Sequence, residues 1–270
     1  MRDIIFLGGD ERMRFAKERL GEKYNCSTDT KKDSKAFSYA VLPLQKSTEN
    51  EIIFGTDIKY NSLPRFLKKN AVVLTGHNCP LLKKICEENG FSLINYAEEE
   101  AFAVANAVPT AEGAVAIAIN SRKETLFKSN ILITGYGRIS KILSGYMLAL
   151  GGKVRVACRK KSDLEWAETR GFIPIDITDK DAFLKALACS DIIFNTVPAE
   201  IFGKDEINTV KSGAVYIELS SSDGFGDEKP NFPVIIARGL PGKTAPITAG
   251  KIIADTIASI IAERSENYEL

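Results

Sequence analysis

The 270-residue chain has one histidine, His77, and one tryptophan. A single histidine excludes metal centres that need two or three imidazoles. A serine–histidine–carboxylate arrangement would have to use His77, and no nucleophile-elbow motif supports one. His77 lies in Thr75-Gly76-His77-Asn78-Cys79 and reads as a solvated loop residue. The five cysteines, Cys26, Cys79, Cys86, Cys158 and Cys189, form no CxxC pair. They read as reduced thiols rather than a disulfide framework or a zinc site, and no metal is expected. Neither sign of charge dominates: 36 Lys and Arg against 35 Asp and Glu leave a formal +1. That argues against a nucleic-acid or membrane-surface protein. No uninterrupted apolar run reaches bilayer-spanning length. The opening Met1-Arg2-Asp3 leads into a short apolar run that meets Gly8-Gly9-Asp10-Glu11-Arg12. That is too short and too soon charged for a signal peptide, so a cytoplasmic protein is expected.

What is present centres on Ile131-Leu132-Ile133-Thr134-Gly135-Tyr136-Gly137-Arg138-Ile139-Ser140. An apolar strand runs into a glycine turn, and the turn into a helix, as in a dinucleotide-binding βα unit. Gly135 would make the tight turn. Gly137 would let the backbone approach a pyrophosphate. Arg138 and Ile139 would open a helix whose free N–H groups face that anion. Ser140 stands where Gly or Ala is usual. Ile139, Ile142, Leu143, Tyr146 and Met147 recur at helical spacing, Gly151-Gly152 ends the helix, and 153–158 reads as the next strand. An NAD site carries Asp or Glu about 20 residues past the first glycine, to hold the ribose 2′-OH. This chain has Arg159-Lys160-Lys161-Ser162 there. Guanidinium, ammonium and hydroxyl groups suit a 2′-phosphate, so Arg159, Lys160 and Ser162 point to NADP. A solvated basic loop is the alternative.

Before that stretch, strands at 4–7, 24–26, 37–43, 71–75 and 91–95 alternate with helices at 11–20 and 79–89. The segments 27–35 and 46–50 read as polar loops, the latter ahead of Glu51-Ile52-Ile53-Phe54. The alanine-rich 98–120 reads as two helical pieces joined at Val108-Pro109-Thr110, because proline disfavours helix at the residue before it. Thr110 would then cap the second piece, with Glu112 in its first turn. After Arg159 come helices at 162–170, 180–189 and 204–210, strands at 172–175, 191–198, 214–220 and 233–237, and a final helix over 245–262. Alternating strands and helices imply α/β architecture with parallel sheets. We expect a flavodoxin-like domain over 1–105, completed by a C-terminal helix at 245–265. A Rossmann domain over 106–244 would include an interdomain helix at 106–120. The arrangement would be that of 2-hydroxyacid-dehydrogenase-like proteins. Ligands bind at the carboxyl ends of parallel strands. That places Asn195-Thr196-Val197-Pro198, Leu219-Ser220-Ser221 and Arg238-Gly239-Leu240 on the rim beside the glycine turn.

Four stretches, in the same order, resemble the dipicolinate synthase A-subunit family: Asn106-Ala107-Val108-Pro109-Thr110-Ala111-Glu112-Gly113-Ala114, Gly135-Tyr136-Gly137-Arg138, Asn195-Thr196-Val197-Pro198, and the run from Gly239-Leu240-Pro241-Gly242 through Thr248-Ala249-Gly250. The resemblance covers most of the chain and is thinnest before Ala71. It implies NADP-dependent oxidation of a dihydropyridine dicarboxylate to dipicolinate in spore formers, alongside a separate flavoprotein-like B subunit. It also implies roles at matching positions. Gly135, Gly137, Arg138 and Ile139 would hold the pyrophosphate, and Arg159 the 2′-phosphate. Thr196, Val197, Pro198 and Leu240 would flank the nicotinamide ribose, with Leu219 on the same rim. Pro109, Thr110 and Glu112 would face the cleft. A dicarboxylate needs cationic or N–H donors, for which Arg238, Lys243, Thr110 and Ser220 are candidates. Glu112 is the candidate base. Two positions depart from the family: Arg238 replaces a proline before Gly-Leu-Pro-Gly, and its DLAS segment reads Glu218-Leu219-Ser220-Ser221. A homodimer is compatible with the sequence. Two other functions stay open: an NADP-dependent dehydrogenase of another small oxo acid, and an NADP-binding module without turnover.

Overall fold

The computed structural model describes residues 2–30, 36–46 and 51–266. The polar loops expected at 27–35 and 46–50 therefore fall partly outside the described residues. The chain divides into two compact units, one of Met1–Asn106 with Pro241–Leu270, the other of Ala107–Leu240.

The first unit holds β1 (Asp3–Phe6), α1 (Glu11–Leu20), β2 (Asn25–Ser27), β3 (Phe37–Val41), α2 (Leu63–Phe66), β4 (Leu67–Thr75), α3 (Pro80–Asn89) and β5 (Ser92–Asn95). Its strands are all parallel, in the order β2-β1-β3-β4-β5, the flavodoxin-like order. The two-residue period of a strand splits its apolar residues between two faces. Ile4, Phe6, Tyr39, Val41, Val72 and Leu74 pack on α1 and on the C-terminal helix Pro246–Glu266 through Ile253, Ile257 and Ile261. Ile5, Leu7, Ala40, Leu42 and Val73 pack the other way, on Leu63, Phe66, Leu82 and Ile85. Asp10 caps α1 by accepting from Arg12 N–H, and Gly90 closes α3 in the left-handed conformation at φ +68°. The turn at Tyr60–Ser62 and α2 were not foreseen. They follow an apolar stretch in which, among the described residues, Ile52 makes a single bridge, to Lys59.

α4 (Glu100–Asn120) corrects the expectation of two pieces. It is one helix with Pro109 inside it. The proline ring removes one i→i−4 hydrogen bond and crowds the carbonyl of Ala105. Burial of Phe102, Ala107, Ala111, Ala114 and Ala118 along the same helix outweighs that loss. Thr110 and Glu112 are consequently mid-helix residues, not a cap and its first turn. By length and composition alone α4 could cross a bilayer, which qualifies the expectation from apolar runs; 44% of its most apolar window is buried.

The second unit continues with β6 (Asn130–Thr134), α5 (Arg138–Ala149), β7 (Lys153–Cys158), α6 (Lys161–Thr169), β8 (Ile173–Asp176), α7 (Lys180–Cys189), β9 (Ile192–Asn195), α8 (Lys204–Thr209), β10 (Val215–Glu218) and β11 (Val234–Ile236). The strands are parallel, in the order β11-β10-β9-β6-β7-β8. Counted from β6 this is 3-2-1-4-5-6, the Rossmann order, whose switch point lies between β6 and β9. One face packs Ile131, Ile133, Val156, Phe194 and Ile217 on α4 and α5. The other packs Leu132, Ala157, Ile193 and Tyr216 on α7 and the Phe202–Phe225 aromatic group. The expected loop after Gly239 instead begins a short helix, α9 (Leu240–Thr244), ahead of α10 (Pro246–Glu266).

Candidate functional site

The glycine turn leaves β6 at the switch point. Gly135 has φ +84°, a conformation that strains any residue with a Cβ. A Cβ there would also lie 2.7 Å from Thr196 Oγ1 and 3.0 Å from a Val197 methyl. The loop after β9 thus presses directly on the turn. Thr196 Oγ1 donates to Thr134 C=O at 2.7 Å and fixes that contact. Gly137 has ordinary extended backbone and open space where a side chain would stand. It is the N-cap of α5 and supplies no side-chain cap, so the first-turn N–H groups depend on another acceptor. Ser140 is fully buried and donates to Gly135 C=O at 2.7 Å, which accounts for serine at the third small position.

Beside the turn lies a cavity of about 290 Å³ lined by Gly135, Tyr136, Arg159, Lys160, Asp163 and Val197, among others. β7 ends at buried Cys158, with no carboxylate at the strand end. Arg159 and Lys160 follow, both exposed, and neither makes an ion pair among the described residues. The Tyr136 hydroxyl is buried with no hydrogen-bond partner among the described residues. A bare glycine facing open space, an uncapped helix start, unpaired cations and an orphaned hydroxyl together fit the phosphates and ribose of a dinucleotide. Ser162 is exposed in the first turn of α6 and does not line the cavity. Arg138 is exposed and Ile139 half-buried at the start of α5. Asp163 and the nearby Glu200 were not singled out from sequence, since the loop that brings Glu200 in carries no motif.

The other expected residues fall in three groups. On the rim of the second unit, Arg238 Nε donates to Ser220 C=O at 3.2 Å, so these two are brought together. Ser220 is buried, and its N–H and hydroxyl both donate to Glu218, at 3.0 and 2.7 Å, the hydroxyl also approaching Ser222 C=O. It has no free donor for a substrate. Leu219 and Leu240 lie in the apolar core, and Pro198 is exposed. On α4, Pro109 and Thr110 are buried and Glu112 is exposed. Lys243 is exposed on α9, in the part of the chain assigned to the first unit.

His77 corrects the solvated-loop expectation. It is buried, its Nδ1 lies 3.1 Å from Pro43 C=O, and its Nε2 lies 3.2 Å from Tyr60 OH. All five cysteines are free, and no cluster suited to a metal occurs among the described residues.

No family model matches the chain. It is 27% identical over 233 residues to the A-subunit of dipicolinate synthase of Bacillus subtilis (strain 168), covering 83% of this chain and 77% of that protein. The crystal structure of the dipicolinate synthase A-subunit from Bacillus halodurans superposes with a TM-score of 0.87 at 23% identity, over 97% of this chain and 98% of that one. An L-alanine dehydrogenase superposes with a TM-score of 0.66 at 11% identity, over 98% of this chain and 90% of that one. The chain therefore has a two-unit dehydrogenase fold with a Rossmann second unit, and in sequence and fold it resembles the A-subunit of dipicolinate synthase.

Proposed function

We propose that this chain is an NADP-dependent oxidoreductase that aromatises a dihydropyridine dicarboxylate, the reaction implied by its likeness to the dipicolinate synthase A-subunit. The observation that carries the cofactor is the end of β7. Cys158 occupies the position of the NAD-type carboxylate, and unpaired Arg159 and Lys160 follow it on the cavity wall. Cationic donors favour a 2′-phosphate, which a carboxylate would repel.

In this reading Gly135 and Gly137 admit the pyrophosphate, and the Arg138 and Ile139 end of α5 supplies N–H groups and dipole. Arg159 grips the 2′-phosphate, with Lys160 and Ser162 in support. Thr196 and Val197 border the nicotinamide ribose, while Pro198, Leu219 and Leu240 shape that rim. Bound NADP supplies a hydride acceptor at nicotinamide C4. Loss of one hydride and one proton converts the dihydropyridine ring to an aromatic one. Aromatisation makes that oxidation downhill, so modest acid–base help suffices; Glu112 is the proposed proton acceptor. Arg238 and Thr110 are the proposed contacts for the dicarboxylate, with Pro109 shaping the same region; Lys243 is a separate candidate cation on α9. Ser220 serves as a fixed wall rather than a donor, because its hydrogens are committed to Glu218. The protein would act in the cytoplasm of a sporulating cell, in partnership with a B subunit.

The test mixes the purified chain with NADP and freshly generated dihydrodipicolinate and follows NADPH absorbance. NADPH should form together with dipicolinate, and Arg159→Ala should raise the KM for NADP about tenfold or more while leaving kcat nearly intact. Tight NADP binding without turnover, with and without a B subunit, would exclude this substrate.

A further inference from the structure

We propose that Glu218 is a positioning residue that sets the Thr196-Val197 turn against the reactive half of the cofactor. The proposal rests on the reading above, in which that turn borders the nicotinamide ribose. Glu218 ends β10 at the carboxyl edge of the sheet and is fully buried. Five donors converge on it. Asn195 Nδ2 lies 3.0 Å from both carboxylate oxygens. Ser220 N–H and Oγ reach Oε1 at 3.0 and 2.7 Å, while Tyr216 OH and Gly224 N–H reach Oε2 at 2.8 and 3.2 Å. The backbone N–H groups of Ser220 and Gly224 can only donate, one to each oxygen, so both oxygens of Glu218 are held as acceptors.

That polarity has a consequence one residue away. A carboxylate accepts only, so Asn195 must turn its NH₂ toward Glu218 and its Oδ1 the other way. Oδ1 then accepts from Val197 N–H at 3.0 Å and from Thr134 Oγ1 at 2.6 Å. These two contacts hold the loop after β9 against the loop after β6, where Thr196 Oγ1 and a Val197 methyl fill the space that Gly135 leaves. Glu218 touches neither turn. It acts through the orientation of one amide. Gly224 fits the same network: a Cβ there would lie 2.7 Å from both Asn195 Nδ2 and Tyr216 OH.

Glu218→Gln keeps the shape and breaks the polarity. Its NH₂ would face donors at either end, and Asn195 could answer only by turning Oδ1 away from Val197. We expect kcat to fall about 100-fold, as for a small misplacement of reacting groups. NADP affinity by NADPH fluorescence should change far less than kcat, because Arg159 and the α5 start are untouched. Hydrogen exchange at the Val197 amide should accelerate about tenfold or more. Tyr216→Phe removes one donor from Oε2 and the contact of its hydroxyl with Asn195, but leaves Glu218 as the acceptor that orients the amide. It should lower Tm yet leave kcat and Val197 exchange at wild-type levels. Asn195→Ala should reproduce the Glu218→Gln effects, and the double variant should be no worse than either, since both break one linkage. It also serves if Glu218→Gln does not fold. Wild-type kcat and Val197 exchange in Glu218→Gln would overturn the proposal. So would Tyr216→Phe matching it in every readout, which would mark a general loss of stability. Should the wild-type chain not turn the dicarboxylate over, the functional reading fails, and the Val197 exchange comparison alone still decides the role of Glu218.

Discussion

At the scale of residues, the single histidine shows how burial reverses a reading from sequence. Pro43 C=O can only accept, so Nδ1 of His77 carries the hydrogen and Nε2 accepts from Tyr60 OH. Both ring nitrogens are committed to the fold. Burial is the main cause that holds the His77 pKa below its ordinary 6.5. Below about pH 6.5 the unfolded chain takes up a proton that the folded chain refuses, so stability falls as pH drops through 6.5 toward the lower folded value, and is level above it. Tm measured from pH 7.5 to 6 should decline for the wild type and stay flat for His77→Gln, whatever that variant's absolute stability. A wild-type profile as flat as the variant's would refute this. The basic run at Arg159 is visible from residue type alone, while its role toward a 2′-phosphate belongs to the proposal. Glu218 was visible only as a departure from a motif, because its importance lies in donors from Asn195 and Gly224 that no local pattern reveals.

At the scale of elements, the βα turn between β6 and α5 was legible almost to the residue. Its glycines, apolar strand and helical spacing are all local. The two glycines nevertheless differ physically, and the difference is measurable. Gly135→Ala meets a positive φ and Thr196 at 2.7 Å, so it should cost about 1–3 kcal/mol in urea unfolding and weaken NADP binding. Gly137→Ala meets ordinary backbone and open space, so stability should barely change while, on the proposed function, NADP binding weakens through the methyl placed where the pyrophosphate would pass. Equal losses of stability in the two variants would contradict this account. α4 was misread for the opposite reason. Pro109 is a strong local signal for a break, whereas the buried face through Ala107, Ala111, Ala114 and Ala118 is a tertiary term that overrides it.

At the scale of the whole molecule, alternation of strands and helices announced two parallel sheets, but not their strand orders, which depend on pairings far apart in the chain. The C-terminal helix is the clearest long-range dependence. Ile253, Ile257, Ile260 and Ile261 of α10 are buried in the core of the first unit. At about 1.5–3 kcal/mol for each buried isoleucine, their loss rivals the entire stability of an ordinary domain. A chain ending at Ala245 should therefore lose protease resistance within residues 1–106 while residues 107–240 stay resistant and still bind NADPH. Trp166, the only tryptophan, lies in the second unit. Resistance of the first unit in the shortened chain would show that α10 is dispensable.

The interrupted first unit also bears on how the protein is made. Ribosomes deliver the chain from its amino end, and compact units fold as they emerge. Residues 107–240 can close their core as soon as β11 has left the tunnel, whereas residues 1–106 must wait for α10, which follows it. The Rossmann unit is thus the earlier to mature during synthesis, and the flavodoxin-like sheet stays one helix short until α10 has emerged.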